Sequence, residues 1–578
     1  MNLKFFLPLL GVSLLSACAQ LPAKKGVQPA VSVETHPAVQ KEKEPPLPHL
    51  RLNEQILYEY LVAEVAAQRG RYQLATTGML DLAQRTRDPR FAERATAMAL
   101  RGRDKQRALK ADKLWLTLDP ASARALKIRV ALLVETDRLE EARPYLEKFL
   151  ANEGDHVARA LLHLNSLFRT QRNRAAVVTL VRQVTAPYRH LPEAHFAVAQ
   201  AAYQAGRFKP ALAEIRQALE LRPNWRIAAL FQGGLLQRAG DKAQAGTFYR
   251  SYLRDYPEAK EVRLAYARFL AGGAQFDAAR RQFARLQSDY PDNPEVSLTL
   301  GLLSMKLNDL DAAQGYFEKA VKQGYPDPNT IYFNLGQLNE MRQRNDEAAR
   351  WYLKVTPGEH YLNAQILYAG VLAKQGRAPE AIAHLQGVRV STTHQRVRLT
   401  TAESQLLREA GKYQAAYHTL DRLLQKLPDN PGLLYDHALA AEKINRPDVL
   451  ERDLRKLIQL KPNFAQAYNA LGYTLADRNE HLDEAQRLLD KARALSPRDP
   501  FILDSMGWLY YRKGDYDKAI VFLKRALAVR PDPEIAAHLG EVLWMKGAHR
   551  HAAQVWRDAL KTHPKNNALL NAIKKFNP

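Results

Sequence analysis

The densest grouping of side chains able to hold a metal is His549-Arg550-His551. Two imidazoles at this spacing fall short of a metal site, which needs further ligands and a supporting shell of hydrogen bonds. The pair also falls at a turn ahead of a helical pattern, where exposure to water is the default. Hydrolase and phosphate-handling signatures are missing from the chain: there is no GxSxG elbow, no HExxH helix and no GxxxxGK loop. Carboxylates are plentiful, but they occupy the surface positions of helices and no spacing selects a working pair. The expectation is a protein that is not an enzyme and that carries no metal or dissociable cofactor.

Cys18 is the single cysteine, and its surroundings specify a covalent chemistry. Residues 1–17 begin with a positive charge (Lys4), continue through an apolar run from Phe5 to Leu15, and end in Ser16 and Ala17. This is the plan of a secretory signal peptide, too short to remain as a membrane span. The string Leu15-Ser16-Ala17-Cys18 resembles the bacterial lipobox. That resemblance implies cleavage before Cys18 and acylation, palmitate included, of its thiol and its new amino group. Several acyl chains anchor a protein stably where one binds only marginally. Ala19 stands where an aspartate would resemble an inner-membrane retention signal, so the expected location is the outer membrane, facing the periplasm. A lipid-bearing cysteine leaves no thiol for catalysis, and with no second cysteine no intrachain disulfide can form.

The chain holds 85 Lys and Arg against 61 Asp and Glu, a formal net charge of +24. Such a balance suggests nucleic acid in a cytosolic protein, but export removes that partner. The expected partners are proteins and, through the lipid, the membrane; neither nucleic acid nor a small-molecule substrate is expected. Anionic headgroups, lipopolysaccharide or acidic proteins could meet the charge, and a solvated basic surface accounts for it equally well. The stretch Arg85–Lys113 is the most one-sided, with ten basic residues against four acidic ones, and a solvated helix face is its simpler reading.

The elements that would position any of these residues repeat. Prolines fall at Pro223, Pro257 and Pro291, and again at Pro428, Pro462, Pro497, Pro531 and Pro564. Their steps are 34 residues, give or take one, the period of the tetratricopeptide repeat. In residues 500–533, Leu503, Met506, Gly507 and Tyr510 form one helical face. Gly514-Asp515 marks a turn, and Ala519, Leu523 and Ala526 line a second helix. Small residues at such positions let two antiparallel helices approach closely. The predicted fold is all-α: a right-handed superhelical solenoid of about fourteen or fifteen helix pairs. The divisions are a signal peptide at 1–17, a lipidated N-terminus and Pro-rich tether at 18–49, and divergent helical repeats at 50–190. The regular solenoid follows at 191–566, with a closing helix and tail at 567–578.

Stacked pairs of this kind present the first helix of each pair to a concave surface. The residues that would face it near the C-terminus are Tyr473, Asp504, Trp508, Tyr511, Arg512, Glu541 and Trp544, with Gln466, Asn469, Phe501, Glu534 and Met545 beside them. Aromatic side chains and arginine are the types that anchor interfaces; for Trp508 and Trp544, packing against the neighbouring repeat is an equal alternative. Trp556 sits at a large core position and is read as packing. The full set of lysines, arginine and asparagines with which co-chaperone repeats clamp a carboxylate tail is not found.

Two blocks carry a more specific resemblance. They are AAQRGRYQLA with RTRDPRFAERATAMAL (residues 66–100), and ILDSMGWLYYRKGDY with PDPEIAAHLGEVLWMKG (residues 502–547). With the lipobox and tether, they resemble the family of LbcA-like outer-membrane lipoproteins, adaptors for a periplasmic carboxyl-terminal processing protease. The resemblance implies a scaffold that brings a serine protease together with cell-wall hydrolase substrates, the catalysis residing in the partner. An assembly scaffold for polysaccharide export or a pilus secretin is the alternative function.

Overall fold

The computed structural model describes Pro48 and residues 53–576. Cys18, the signal segment and nearly all of the proposed tether lie outside the described residues. Among those described, the regular structure is helical throughout: thirty-one α-helices and a few 3₁₀ turns, with no strand. In chain order the α-helices make fifteen pairs followed by one closing helix. The chain divides into two compact units at Leu307 and Asn308.

Each helix boundary follows from local chemistry. Pro223, Pro257, Pro291, Pro462, Pro497, Pro531 and Pro564 each lie two residues beyond the end of a second helix, where a missing N–H cannot continue the hydrogen-bond ladder. Several first helices open with an Asp or Asn cap followed by proline, as at Asn293-Pro294, Asn430-Pro431, Asp499-Pro500 and Asp532-Pro533. The cap carboxylate or amide oxygen accepts from an otherwise unpaired backbone N–H, and proline suits the first helical position. Within a pair, the turn passes through a left-handed residue. Gly514 has φ 81°, a conformation open to glycine at no steric cost.

The two helices of a pair meet where a small residue on the first faces a large one on the second. A Cβ built on Gly507 would lie 2.5 Å from Leu523 Cγ, and one on Gly540 would lie 2.0 Å from Trp556 Nε1. Leu503 and Met506 flank Gly507 in the core, and Ala519, Leu523 and Ala526 are fully buried opposite them. Neighbouring pairs are then linked at their edges. Lys513, just past the first helix Pro500–Arg512, donates to Asp483 (2.9 Å) at the start of the preceding second helix, Leu482–Leu495. Gln375 reaches Asp346 (2.8 Å) in the same way, and Lys546 reaches Asp517. These exposed bridges add little each, but they recur at one period.

Regularity is lowest near residues 154–168. There a 3₁₀ turn (Gly154–His156), a short helix (Val157–His163) and a second 3₁₀ segment (Leu164–Phe168) replace one long first helix. The C-terminal end is closed by Asn567–Phe576, whose Phe576 packs 5.9 Å from both Trp544 and Trp556. The first helix, Glu54–Gln68, instead leaves Leu57, Tyr58, Leu61, Val62 and Val65 exposed among the described residues.

One buried charge breaks the pattern. Asp112, on Lys105–Leu118, is fully buried and neither carboxylate oxygen has a hydrogen-bond partner among the described residues. Arg129 Nη1 is 4.0 Å away and donates instead to the Leu109 carbonyl (2.8 Å). Burial pushes the Asp112 carboxyl up to about 7, opposed only in part by Arg129.

Two predictions follow from this packing. Gly540→Ala should lower the unfolding temperature, by overpacking worth about 1–3 kcal/mol. Gly315→Ala, at a helical site with nothing within 4 Å of the added Cβ, should raise it slightly, by about 0.5–1 kcal/mol. Tryptophan-fluorescence melts check both, and an unchanged melt for Gly540→Ala contradicts the close approach. The second concerns pH. Because the folded-state pKa of Asp112 is raised above its unfolded value, its contribution to stability is fully present below about pH 4 and lost as pH rises through about 7. Hydrogen exchange in the Lys105–Leu118 helix should therefore quicken over that range, and Asp112→Asn should flatten the change.

A candidate protein-binding groove

The last three pairs place their first helices, Ala465–Asp477, Pro500–Arg512 and Pro533–Met545, side by side. Gly472, Gly507 and Gly540 turn one face of each helix onto its partner helix. The opposite face carries Tyr473, Asp504, Trp508, Tyr511 and Glu541, and it holds a continuous polar and aromatic network.

Trp508 is only 7 % exposed. Its indole N–H donates to Asp477 Oδ1 (2.9 Å), and its ring lies 4.3 Å from the His538 imidazole and 4.9 Å from Tyr511. His538 Nδ1 in turn donates to Asp504, at 3.0 Å and 3.1 Å from the two oxygens. Burial would lower the His538 pKa, but the Asp504 carboxylate, with Glu541 and Glu534 further off, outweighs it and holds the imidazole above its ordinary range. Tyr511 donates to Glu541 Oε1 (3.1 Å), which also accepts from Lys575 of the closing helix (2.8 Å). Burial, then Glu541, pushes the Tyr511 phenol up to about 12.

Tyr473 lies 6.3 Å from His538, two pairs along, and its hydroxyl has no hydrogen-bond partner among the described residues. Burial, followed by Asp477, Asp504, Glu442 and Glu534, moves its pKa well above the ordinary phenol range. Arg512 is half-buried at the end of its helix and makes no ion pair among the described residues. Trp544 belongs to a different cluster: it stands edge-on to His549 at 4.2 Å and stacks 6.0 Å from Trp556. Trp556 is fully buried and donates to the Ala537 carbonyl (3.2 Å).

The structure thus joins Tyr473, Asp504, Trp508, Tyr511 and Glu541 in one network, and gives Trp544 to the packing of the closing helix. His538 and Asp477 are the members that sequence reasoning passed over. A signal for them exists: Asp504 and His538 are 34 residues apart and Asp477 and Trp508 are 31 apart, so each pair falls on the same face of successive first helices. No group of three or more potential metal ligands converges among the described residues.

The His538–Asp504 contact makes the groove's stability depend on pH. A raised imidazole pKa stabilises fully below the unfolded value of about 6.5 and is lost as pH rises through the higher folded value. Melting followed by Trp508 fluorescence should therefore fall between pH 6 and pH 9 in the wild type, and fall less in Asp504→Asn. Parallel slopes would contradict the contact.

Tetratricopeptide-repeat models match residues 192–225, 236–303, 298–360 and 478–542. The TPR repeat-containing protein PA4667 of Pseudomonas aeruginosa is 34% identical over 489 residues, covering 85% of this chain and 82% of that protein. The cellulose synthase operon protein C of Pseudomonas fluorescens is 25% identical over 373 residues, covering 54% of this chain and 29% of that protein. Among solved structures, the APC/C heterotetramer Cut9–Hcn1 aligns over 85% of this chain at 15% identity, with a TM-score of 0.31. On the repeat matches and the long alignment with the first of these proteins, the chain belongs to the tetratricopeptide-repeat proteins, in the family of the Pseudomonas aeruginosa protein PA4667.

Proposed function

We propose that this protein is an outer-membrane-anchored periplasmic adaptor that brings a carboxyl-terminal processing protease together with cell-wall hydrolase substrates. The coarser level is plain: tetratricopeptide repeats make a scaffold for protein–protein interaction, and this chain is built of them. The observation that carries the finer reading is the groove formed by Ala465–Asp477, Pro500–Arg512 and Pro533–Met545. Its aromatic and charged side chains are fixed in place by one another, and pre-ordered groups lose less freedom on binding. The lipobox-like string ending at Cys18 and the sequence blocks at 66–100 and 502–547 support the location and the partner class.

The mature chain, beginning at residue 18, should co-purify with the processing protease of its own cell from solubilised membranes, and should raise that protease's turnover of a cell-wall hydrolase. Failure of both co-purification and stimulation would sink the adaptor reading. A second function has one observation in its favour, the similarity to a cellulose synthase operon protein. If the protein is instead an assembly scaffold for polysaccharide export, its deletion should abolish the exported polymer while leaving hydrolase levels unchanged. Anchoring is tested separately. Cys18→Ala should move the protein out of the membrane fraction, and retention there would refute the lipid.

A further inference from the structure

We propose that the groove of the last three helix pairs is a recognition site for a lysine- or arginine-bearing segment of a partner protein, built from Asn469, Tyr473, Asp477 and Asp504. This rests on the reading of the groove as a protein-binding surface and adds the chemistry of what it takes.

The first observation is a reversal of charge. The chain carries a formal net charge of +24, yet its C-terminal groove gathers carboxylates. Asp477, Asp504, Glu442 and Glu534 are close enough to Tyr473 to act on its hydroxyl, and Glu541 joins them at His538. Part of this charge is answered within the fold, Asp504 by His538 and Glu541 by Lys575, which leaves Asp477 as an exposed carboxylate able to draw a counter-charge to the groove. For a chain this basic, the selected partner segment is cationic.

The second observation is a buried oxygen left unpaired beside acceptors that are already in place. Asn469 Oδ1 is buried and has no hydrogen-bond partner among the described residues. It lies one helical turn before Tyr473, on the same face of Ala465–Asp477. Leaving such an oxygen unpaired costs about 1–3 kcal/mol, which a donor-rich ligand would recover. The Tyr473 hydroxyl makes no hydrogen bond among the described residues. Asp477 is exposed and gives one oxygen to Trp508. Asp504, one period beyond Asn469, is held in position by His538.

These groups suit an ammonium or guanidinium better than a bare metal ion. The carboxylates do not converge into a ligand cluster, whereas a lysine or arginine brings several donors and a long apolar stem. Its stem can lie along the Tyr473 ring, with its head among the acceptors. The Trp508 ring, stacked on His538 and tilted against Tyr511, forms the wall of the site.

Fluorescence anisotropy of the mature chain with labelled Gly/Ser peptides tests this. One peptide carries lysines, a second glutamates at the same positions, and a third neither. The lysine peptide should bind about tenfold more tightly than the glutamate peptide. Tyr473→Phe with Asp477→Asn should weaken the lysine peptide by about tenfold. Glu318→Gln, outside the groove, should not. As a check on unaltered protein, carbodiimide coupling of the bound lysine peptide should place adducts on Asp477 or Asp504. Equal affinity for the two charged peptides, unchanged affinity in the double variant, or adducts only on other carboxylates would overturn the site. If membrane capture still yields partner proteins while the lysine peptide fails to bind, the cationic site is wrong and the scaffold stands.

Discussion

In five of the helix pairs the backbone of the first helix comes close to a large side chain of the second. Gly233 faces Tyr249, Gly336 faces Tyr352, Gly472 and Gly507 face leucines, and Gly540 faces Trp556. A Cβ at any of these glycines would collide with its partner. The contact sets how near the two helices lie and which face of the first helix is consumed by packing. Only then is the opposite face free to line a groove, so the proposed binding surface is a by-product of where glycine and the bulky residue sit.

The regular part of this arrangement is written plainly in the chain. Prolines at one-period steps mark helix ends, Asp-Pro and Asn-Pro mark helix starts, and Gly507, Ala519, Leu523 and Ala526 mark the buried contact. What was harder to read involves groups that meet only after pairs stack. His538 meets Asp504 and Trp508 from the preceding pair, and Tyr473 from two pairs before it. No local pattern on Pro533–Met545 announces these contacts; they emerge from register between repeats. Asp112 was invisible for a different reason. It occupies an inward helical position by residue type no different from surface aspartates elsewhere, and only its surroundings reveal the unpaired carboxylate. Along 154–168 the helical period is present in the sequence, yet short 3₁₀ segments interrupt it.

Polar chemistry is divided between two tasks. At the pair edges, bridges such as Lys513–Asp483 and Gln375–Asp346 repeat with the period and fix the spacing of neighbours. In the groove, Trp508, His538, Asp504, Tyr511 and Glu541 are locked to one another and to Lys575 of the closing helix. The closing helix therefore does more than cover apolar surface. By holding Glu541 it couples the end of the solenoid to the binding face, and loss of that helix would loosen both.

Site-specific photo-crosslinking in living cells tests the use of this groove most directly. A photoreactive side chain at Tyr473 or Tyr511 should capture partner proteins. The same group at Val521, exposed on the second helix Tyr516–Val529, should capture none. Adducts that form at Val521 and not at Tyr473 or Tyr511 would place the partner on the other face and contradict a scaffold that works through its first helices.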